Sequence, residues 1–167
     1  MSTTVKSPTK VVVCPSCSTK NRVPSVADGA PRCGNCHNPL PWVVDTSDVD
    51  FTAVAEEATI PVLIDVWAPW CGPCRMVSPV LEQLATEFAG KLKLVKVNAD
   101  EAPGVSRRFE VQAIPTLLLM HHGQVIAKQI GAAPAPALRS WLTEHLPKEE
   151  ADLTREKDQS TGEKDRR

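Results

Sequence analysis

The chain has almost no net charge, no cysteine without a near partner, and no apolar run long enough to cross a bilayer. Each absence narrows the possibilities. A formal charge of −1 over 167 residues projects no strong field toward nucleic acid or a membrane surface. A spanning helix needs about 18 or more consecutive apolar residues, and the sequence contains no such stretch. Met1 to Pro8 lack the apolar core of a secretory leader, so the expected compartment is a reducing cytoplasm. No internal repeat occurs beyond two short cysteine pairs near the start.

All six cysteines fall in Cys-x-x-Cys pairs: Cys14/Cys17, Cys33/Cys36 and Cys71/Cys74. In a reducing compartment this pattern points to metal or redox chemistry rather than a disulfide framework.

A hydrophobic content of 42% supports one globular domain plus a small appendage. Residues 1–10 read as a frayed terminus within a four-cysteine segment, 1–41, that is poor in large apolar side chains and needs a staple. A second unit spans 42–147. From Lys148 to Arg167 the chain is charged and free of aromatics, the composition of a disordered tail.

Within 42–147 strand and helix patterns alternate after Trp42-Val43-Val44. Val62–Trp67 is an unbroken apolar run, as in a strand buried on both faces. Met76, Val80, Leu84 and Phe88 recur at i+4, predicting a helix over about 73–89, kinked by Pro79 and stopped by Gly90. Leu92–Val97 alternates apolar residues with lysine and reads as a strand. A short helix is expected over Gly104–Phe109. Thr116–Met120 and Val125–Ile130 read as a hairpin across His121-His122-Gly123-Gln124, and Pro136–Leu146 as a closing amphipathic helix. The result is an α/β fold: a mixed sheet with helices on both faces.

Trp70-Cys71-Gly72-Pro73-Cys74 is the most informative string. If a helix starts there, two cysteines three positions apart share a face and reach each other without backbone movement. Unpaired N–H groups and the positive dipole end favour thiolate, the reactive form. Pro73 suits the first turn, where its missing N–H costs nothing. The bland alternative is half of a zinc site lacking its other half. Asp65 is a lone carboxylate inside an apolar strand, and burial should raise its pKa; the alternative is a sheet-rim position reaching solvent.

Cys14-Pro-Ser-Cys17 and Cys33-Gly-Asn-Cys36 are separated by fifteen residues, the two-knuckle zinc spacing. Two turns supply four thiolates for a tetrahedral Zn²⁺, which would provide most of the folding energy of so small a segment. Two local disulfides fit the compartment poorly, and the spacing suits zinc better than an iron–sulfur centre. Cys33-Gly-Asn-Cys36-His37 also matches a haem attachment string, but that leaves Cys14 and Cys17 idle and leaves zinc preferred, with His37 at the surface. Residues 1–41 carry five Lys/Arg and one Asp, about +2 once a zinc tetrathiolate is counted. That is too little to point to nucleic acid.

Trp67-Ala-Pro-Trp-Cys-Gly-Pro-Cys-Arg75, with Ile114-Pro115-Thr116 downstream, resembles the thioredoxin family over Trp42 to Leu146. With the knuckles in front, the chain is most similar to the zinc-containing thioredoxin 2 type. The resemblance implies a five-stranded mixed sheet flanked by four helices, preceded by a zinc-ribbon-like module. It implies a protein-disulfide reductase in which exposed Cys71 attacks and deeper Cys74 resolves the mixed disulfide. Asp65 then serves as acid and base for Cys74, with Lys96 nearby; from its strand alone, Lys96 would be a surface residue. Gly72 and Pro73 match the reductant end of the redox scale.

Ile114-Pro115 matches the family's cis-proline loop, where the Ile114 backbone meets an extended substrate segment. Trp70, Gly131 and Ala132 complete the docking surface, while Trp67 belongs to the core. Ala113 stands where glycine is common, narrowing that groove. The implied partners are oxidised proteins and an NADPH-dependent thioredoxin reductase; no organic cofactor is needed, and a monomer is the default. Rival readings are a zinc-ribbon adaptor and an oxidase or isomerase of the same fold.

Overall fold

The computed structural model describes residues 8–148, so the charged tail beyond Lys148 lies outside the described residues. The β-branched run Val11-Val12-Val13 favours extended backbone. It forms β1 (Thr9–Val13), paired antiparallel with β2 (Lys20–Pro24) from Thr9↔Pro24 to Val13↔Lys20. Thr9 and Lys10 therefore belong to a ribbon and not to a frayed end.

The main sheet has five strands: β3 (Val43–Thr46), β4 (Val62–Trp67), β5 (Lys93–Asn98), β6 (Thr116–His121) and β7 (Gln124–Ile130). Their spatial order is β3-β5-β4-β6-β7; β3 and β4 run parallel to β5, whereas β6 and β7 add antiparallel. The helices are α1 (Gly72–Glu87), α2 (Pro103–Arg108) and α3 (Ala135–His145). A π-helical turn, Thr52–Glu56, completes four helical segments among the described residues; the Glu57 N–H closes it on the Thr52 carbonyl at 2.9 Å. This is the five-stranded mixed sheet that the sequence resemblance implies. His122 and Gly123 turn the β6–β7 hairpin with φ of 51° and 76°, the two positive values a tight primed turn needs.

Alternation along β4 divides the core. Leu63 points toward α1 and α3, packing with Leu81, Leu84, Leu117 and Leu142. Val62, Ile64 and Val66 point to the other face, with Trp42, Val54 of the π-turn and Val105 of α2. Cys14, Val23, Cys33 and Leu40 from the four-cysteine segment join that second cluster. Its interior is thus continuous with the sheet.

α1 runs through Pro79; of the predicted series, Leu84 is buried and Val80 and Phe88 pack partly buried against the core, but Met76 lies off that face. Cys74, Val77, Leu81, Leu84 and Ala85 face inward, and Met76 is 77% exposed. A strict i+4 series drifts about 40° per step from any one face of a helix with 3.6 residues per turn, so Met76 cannot share a face with Phe88. Steps of three and four from Cys74 hold the line. The chain reverses at Gly90, whose φ is +85° and where a Cβ would sit 3.0 Å from Pro39.

The lysines of β5 also depart from their reading. Lys93 is 1% exposed. Its ammonium donates to the Ser25 carbonyl and the Val54 carbonyl, each at 2.6 Å, and lies 4.0 Å from the centre of the Trp42 ring. The Trp42 indole N–H donates to the Pro24 carbonyl at 2.9 Å, so both residues fasten the ribbon segment to the sheet.

Candidate functional site

Cys71 caps the N-terminus of α1 in an extended conformation, and its sulfur accepts the Cys74 N–H at 3.2 Å. Pro73 occupies the first turn. Cys71 and Cys74 are disulfide-bonded, with Cα atoms 5.3 Å apart. Cys71 was expected at an exposed tip, yet it is 4% exposed. Trp67, Ala68 and Ile114 pack around the two sulfurs, while Gly72 and Pro73 between them are exposed.

The Ile114–Pro115 peptide bond is cis. The Ile114 carbonyl oxygen lies 3.8 Å from Cys71 Sγ. Gly131, with φ +87°, donates its N–H to the Pro115 carbonyl at 2.8 Å, and Ala132 beside it is exposed. Trp70 is 68% exposed. Its indole N–H donates to the Asp100 carboxylate at 3.1 Å, a partner that sequence reading missed. The signal was positional: Asp100 follows the carboxyl end of β5, where open α/β sheets gather their functional groups.

Asp65 is 1% exposed, and neither carboxylate oxygen has a hydrogen-bond partner among the described residues. Burial raises its pKa to about 6, against the opposing charge of Lys96. Lys96 is the register partner of Asp65 across β4 and β5. It is half-buried rather than free at the surface: its ammonium donates to Ser78 Oγ at 2.8 Å, lies 3.6 Å from Glu82, and sits 5.5 Å from the Trp67 ring centre.

The second cysteine group is built from two similar turns. The Ser18 N–H returns to the Cys14 carbonyl at 2.9 Å and the His37 N–H to the Cys33 carbonyl at 3.0 Å. Ser18 and His37 both have φ of 62°, and the His37 side chain is exposed. The turns point four sulfurs at one place: all lie within 4.8 Å of one another, with Cys14–Cys36 at 3.5 Å and Cys17–Cys33 at 3.6 Å.

Sulfurs bound tetrahedrally at about 2.3 Å from Zn²⁺ would be about 3.8 Å apart, so the cage has the right size. Asn21 Nδ2 and the Asn35 N–H point at Cys33 Sγ from 3.5 and 3.4 Å, as donors to a thiolate would. The Thr19 hydroxyl and amide pull Cys17 down to about 5. Cys36 goes the other way: the Asn38 amide favours its thiolate, but burial and the neighbouring thiols push it up to about 11. Four adjacent sulfurs cannot all ionise without a cation among them, and this donor set fits a soft divalent metal.

A dithiol pair at a helix tip, beneath a cis-proline loop and beside a buried carboxylate, invites comparison with known proteins. The thioredoxin family model matches residues 42–144, beginning just after the four-cysteine segment. The chain is similar to a thioredoxin of Haemophilus influenzae, 49% identical over 104 residues that cover 62% of this chain and 97% of that protein. It is also similar to thioredoxin 1 of Synechococcus elongatus, 44% identical across 60% of this chain and 94% of that one. A chloroplastic M-type thioredoxin of Spinacia oleracea is 38% identical, over 62% of this chain and 58% of its own length. With its sheet order, its cis-proline loop and its Cys-Gly-Pro-Cys turn, this chain belongs to the thioredoxin family of protein-disulfide oxidoreductases.

Proposed function

We propose that the chain is a protein-disulfide reductase of the zinc-containing thioredoxin 2 type. A metal-binding module over 1–41 precedes the redox domain over 42–147 and the tail over 148–167. The observation that carries the redox reading is the Cys71–Cys74 pair at the first turn of α1, with the Cys74 N–H directed at Cys71 Sγ. An N–H aimed at sulfur binds thiolate more strongly than thiol, and the helix end adds to that preference.

Cys71 acts as the nucleophile. Its thiolate attacks one sulfur of an oxidised protein; the substrate S–S bond breaks, one substrate sulfur leaves and takes a proton, and a mixed disulfide forms. Cys74 then gives its proton to Asp65 and attacks the Cys71 sulfur. The second substrate sulfur leaves as the Cys71–Cys74 bond forms, so two electrons have passed to the substrate. Asp65 suits this exchange because burial poises it near neutrality. An NADPH-dependent thioredoxin reductase would restore the dithiol. Trp70, Ile114, Pro115, Gly131 and Ala132 form the docking surface, and Gly72-Pro73 present the motif to it. Lys96 tunes Asp65 through its charge. The protein works as a monomer in a reducing cytoplasm.

Cys14, Cys17, Cys33 and Cys36 would hold one Zn²⁺. The ion supplies a cross-link between the two knuckles and no redox chemistry of its own.

Replacing Cys71 by serine tests the redox reading, and metal analysis of the same protein tests the module. Reduction of insulin disulfides should fall to the uncatalysed rate while one zinc per chain remains bound. Undiminished reduction by C71S would remove the assignment, and a metal-free preparation with four freely titrating N-terminal thiols would remove the zinc.

A further inference from the structure

Asp65 and Lys96 lie on one face of the sheet, and Ser78 and Glu82 lie on α1, the helix that supplies both partners of the Lys96 ammonium. Asp65 and Lys96 are neighbours across β4 and β5, so a lysine side chain could close on the carboxylate. It does not. Both Asp65 oxygens are without a hydrogen-bond partner among the described residues, and the Lys96 ammonium is instead drawn to α1, 2.8 Å from Ser78 Oγ and 3.6 Å from Glu82. Cys74, Ser78 and Glu82 follow one another at i+4, so one stripe of α1 carries the resolving sulfur and both anchors.

We infer that Ser78 and Glu82 are positioning residues that tether Lys96 to α1, hold its charge away from Asp65, and so keep that carboxyl a weak acid. The inference rests on the proton-transfer role proposed for Asp65 and adds what sets its acidity. An ammonium in direct contact would lower a buried carboxyl strongly, whereas the same charge at a distance only tempers the effect of burial. That balance matches the direction in which Asp65 is displaced. Among the described residues, Lys96 from β5 acts on Asp65 through its charge, with Glu82 of α1 3.6 Å from Lys96, and Cys74 is the buried titratable residue at the head of the same α1 stripe. From β6 the register partner is Leu117, which carries no charge.

Ser78 gives the cleanest test because it is neutral: S78A changes no charge, only the tether. Alanine is favourable within a helix and Ser78 is half-buried, so the fold should tolerate the change. The readout is the ¹³C carboxyl titration of Asp65 in the full chain, reduced and oxidised, alongside the pH profile of insulin reduction. In S78A the Asp65 midpoint should fall by about one pH unit as Lys96 reaches it. The acid limb of the rate should move with it. S78T, which keeps the hydroxyl, should restore the wild-type midpoint, and K96M should raise it.

An S78A midpoint equal to wild type, or a K96M midpoint that does not rise, would overturn the tether. The carboxyl titration is independent of turnover. D65N reducing insulin at the full rate with an unchanged acid limb would remove the proton role of Asp65, and would do so separately from the tether.

Discussion

The ammonium of Lys93 lies 2.6 Å from the Ser25 carbonyl, joining the start of β5 to the four-cysteine segment. A second bond of equal length goes to Val54 in the π-turn, so one cation ties three parts of the chain together.

Removing that cation should loosen all three. K93M fills the space but leaves two buried carbonyls without a donor, which should destabilise the protein by about 1–3 kcal/mol in urea unfolding at neutral pH. Amide exchange should rise first in residues 20–40. Burial lowers Lys93 from its ordinary value of 10.5 to about 8. Between those values the unfolded chain binds more protons than the folded one, so this group's contribution to stability rises with pH across the window. The stability of wild type relative to K93M should therefore increase from pH 8 to pH 10.5. A difference that stays flat or falls contradicts the placement of the ammonium.

The rotation of α1 can be tested by two substitutions. Leu84 is fully buried against the sheet, so L84A should cost about 2–5 kcal/mol. Met76 faces outward, and M76A should stay within about 0.5 kcal/mol of wild type. Equal losses at the two positions would place Met76 on the buried face with Leu84.

Asp65 should trade stability for function. Its pKa is raised from 3.8 to about 6, so the folded protein binds the extra proton and stability is lost as pH rises through that range. D65N, neutral and nearly isosteric, should be more stable than wild type above pH 6, and the gap should close toward pH 4. Urea midpoints at the two ends of the range decide it; a gap of the same size at both means that burial does not penalise the charge. The same variant should resolve mixed disulfides more slowly.

Much of this architecture was legible because it rests on local chemistry. The apolar run Val62–Trp67, the helix start at Cys71, the hairpin at His122-Gly123 and the pairing of the knuckles each depend on residues close in sequence. What was missed depends on distant partners. Lys93 alternates with apolar residues as a surface lysine would, and only the carbonyls of Ser25 and Val54 make its burial tolerable. The π-turn at Thr52–Glu56 has no periodicity of its own; the Val54 carbonyl finds its donor in Lys93. Lys96 departs from its surface reading because Ser78 lies on another element. Trp70 and Asp100 lie in the turns after β4 and β5, and the pairing of those two strands brings them together. The burial of Cys71 likewise depends on Ile114, over forty residues away, folding back across the sulfurs.

The decisive measurement is a trap at the moment of exchange. C74S protein, reduced and mixed with an oxidised substrate protein, should accumulate a one-to-one mixed disulfide that peptide mapping locates at Cys71. The complementary C71S protein should accumulate essentially none. A substrate adduct forming mainly at Cys74, or at the N-terminal cysteines with Cys71 left free, would contradict the assignment of Cys71 as the attacking sulfur.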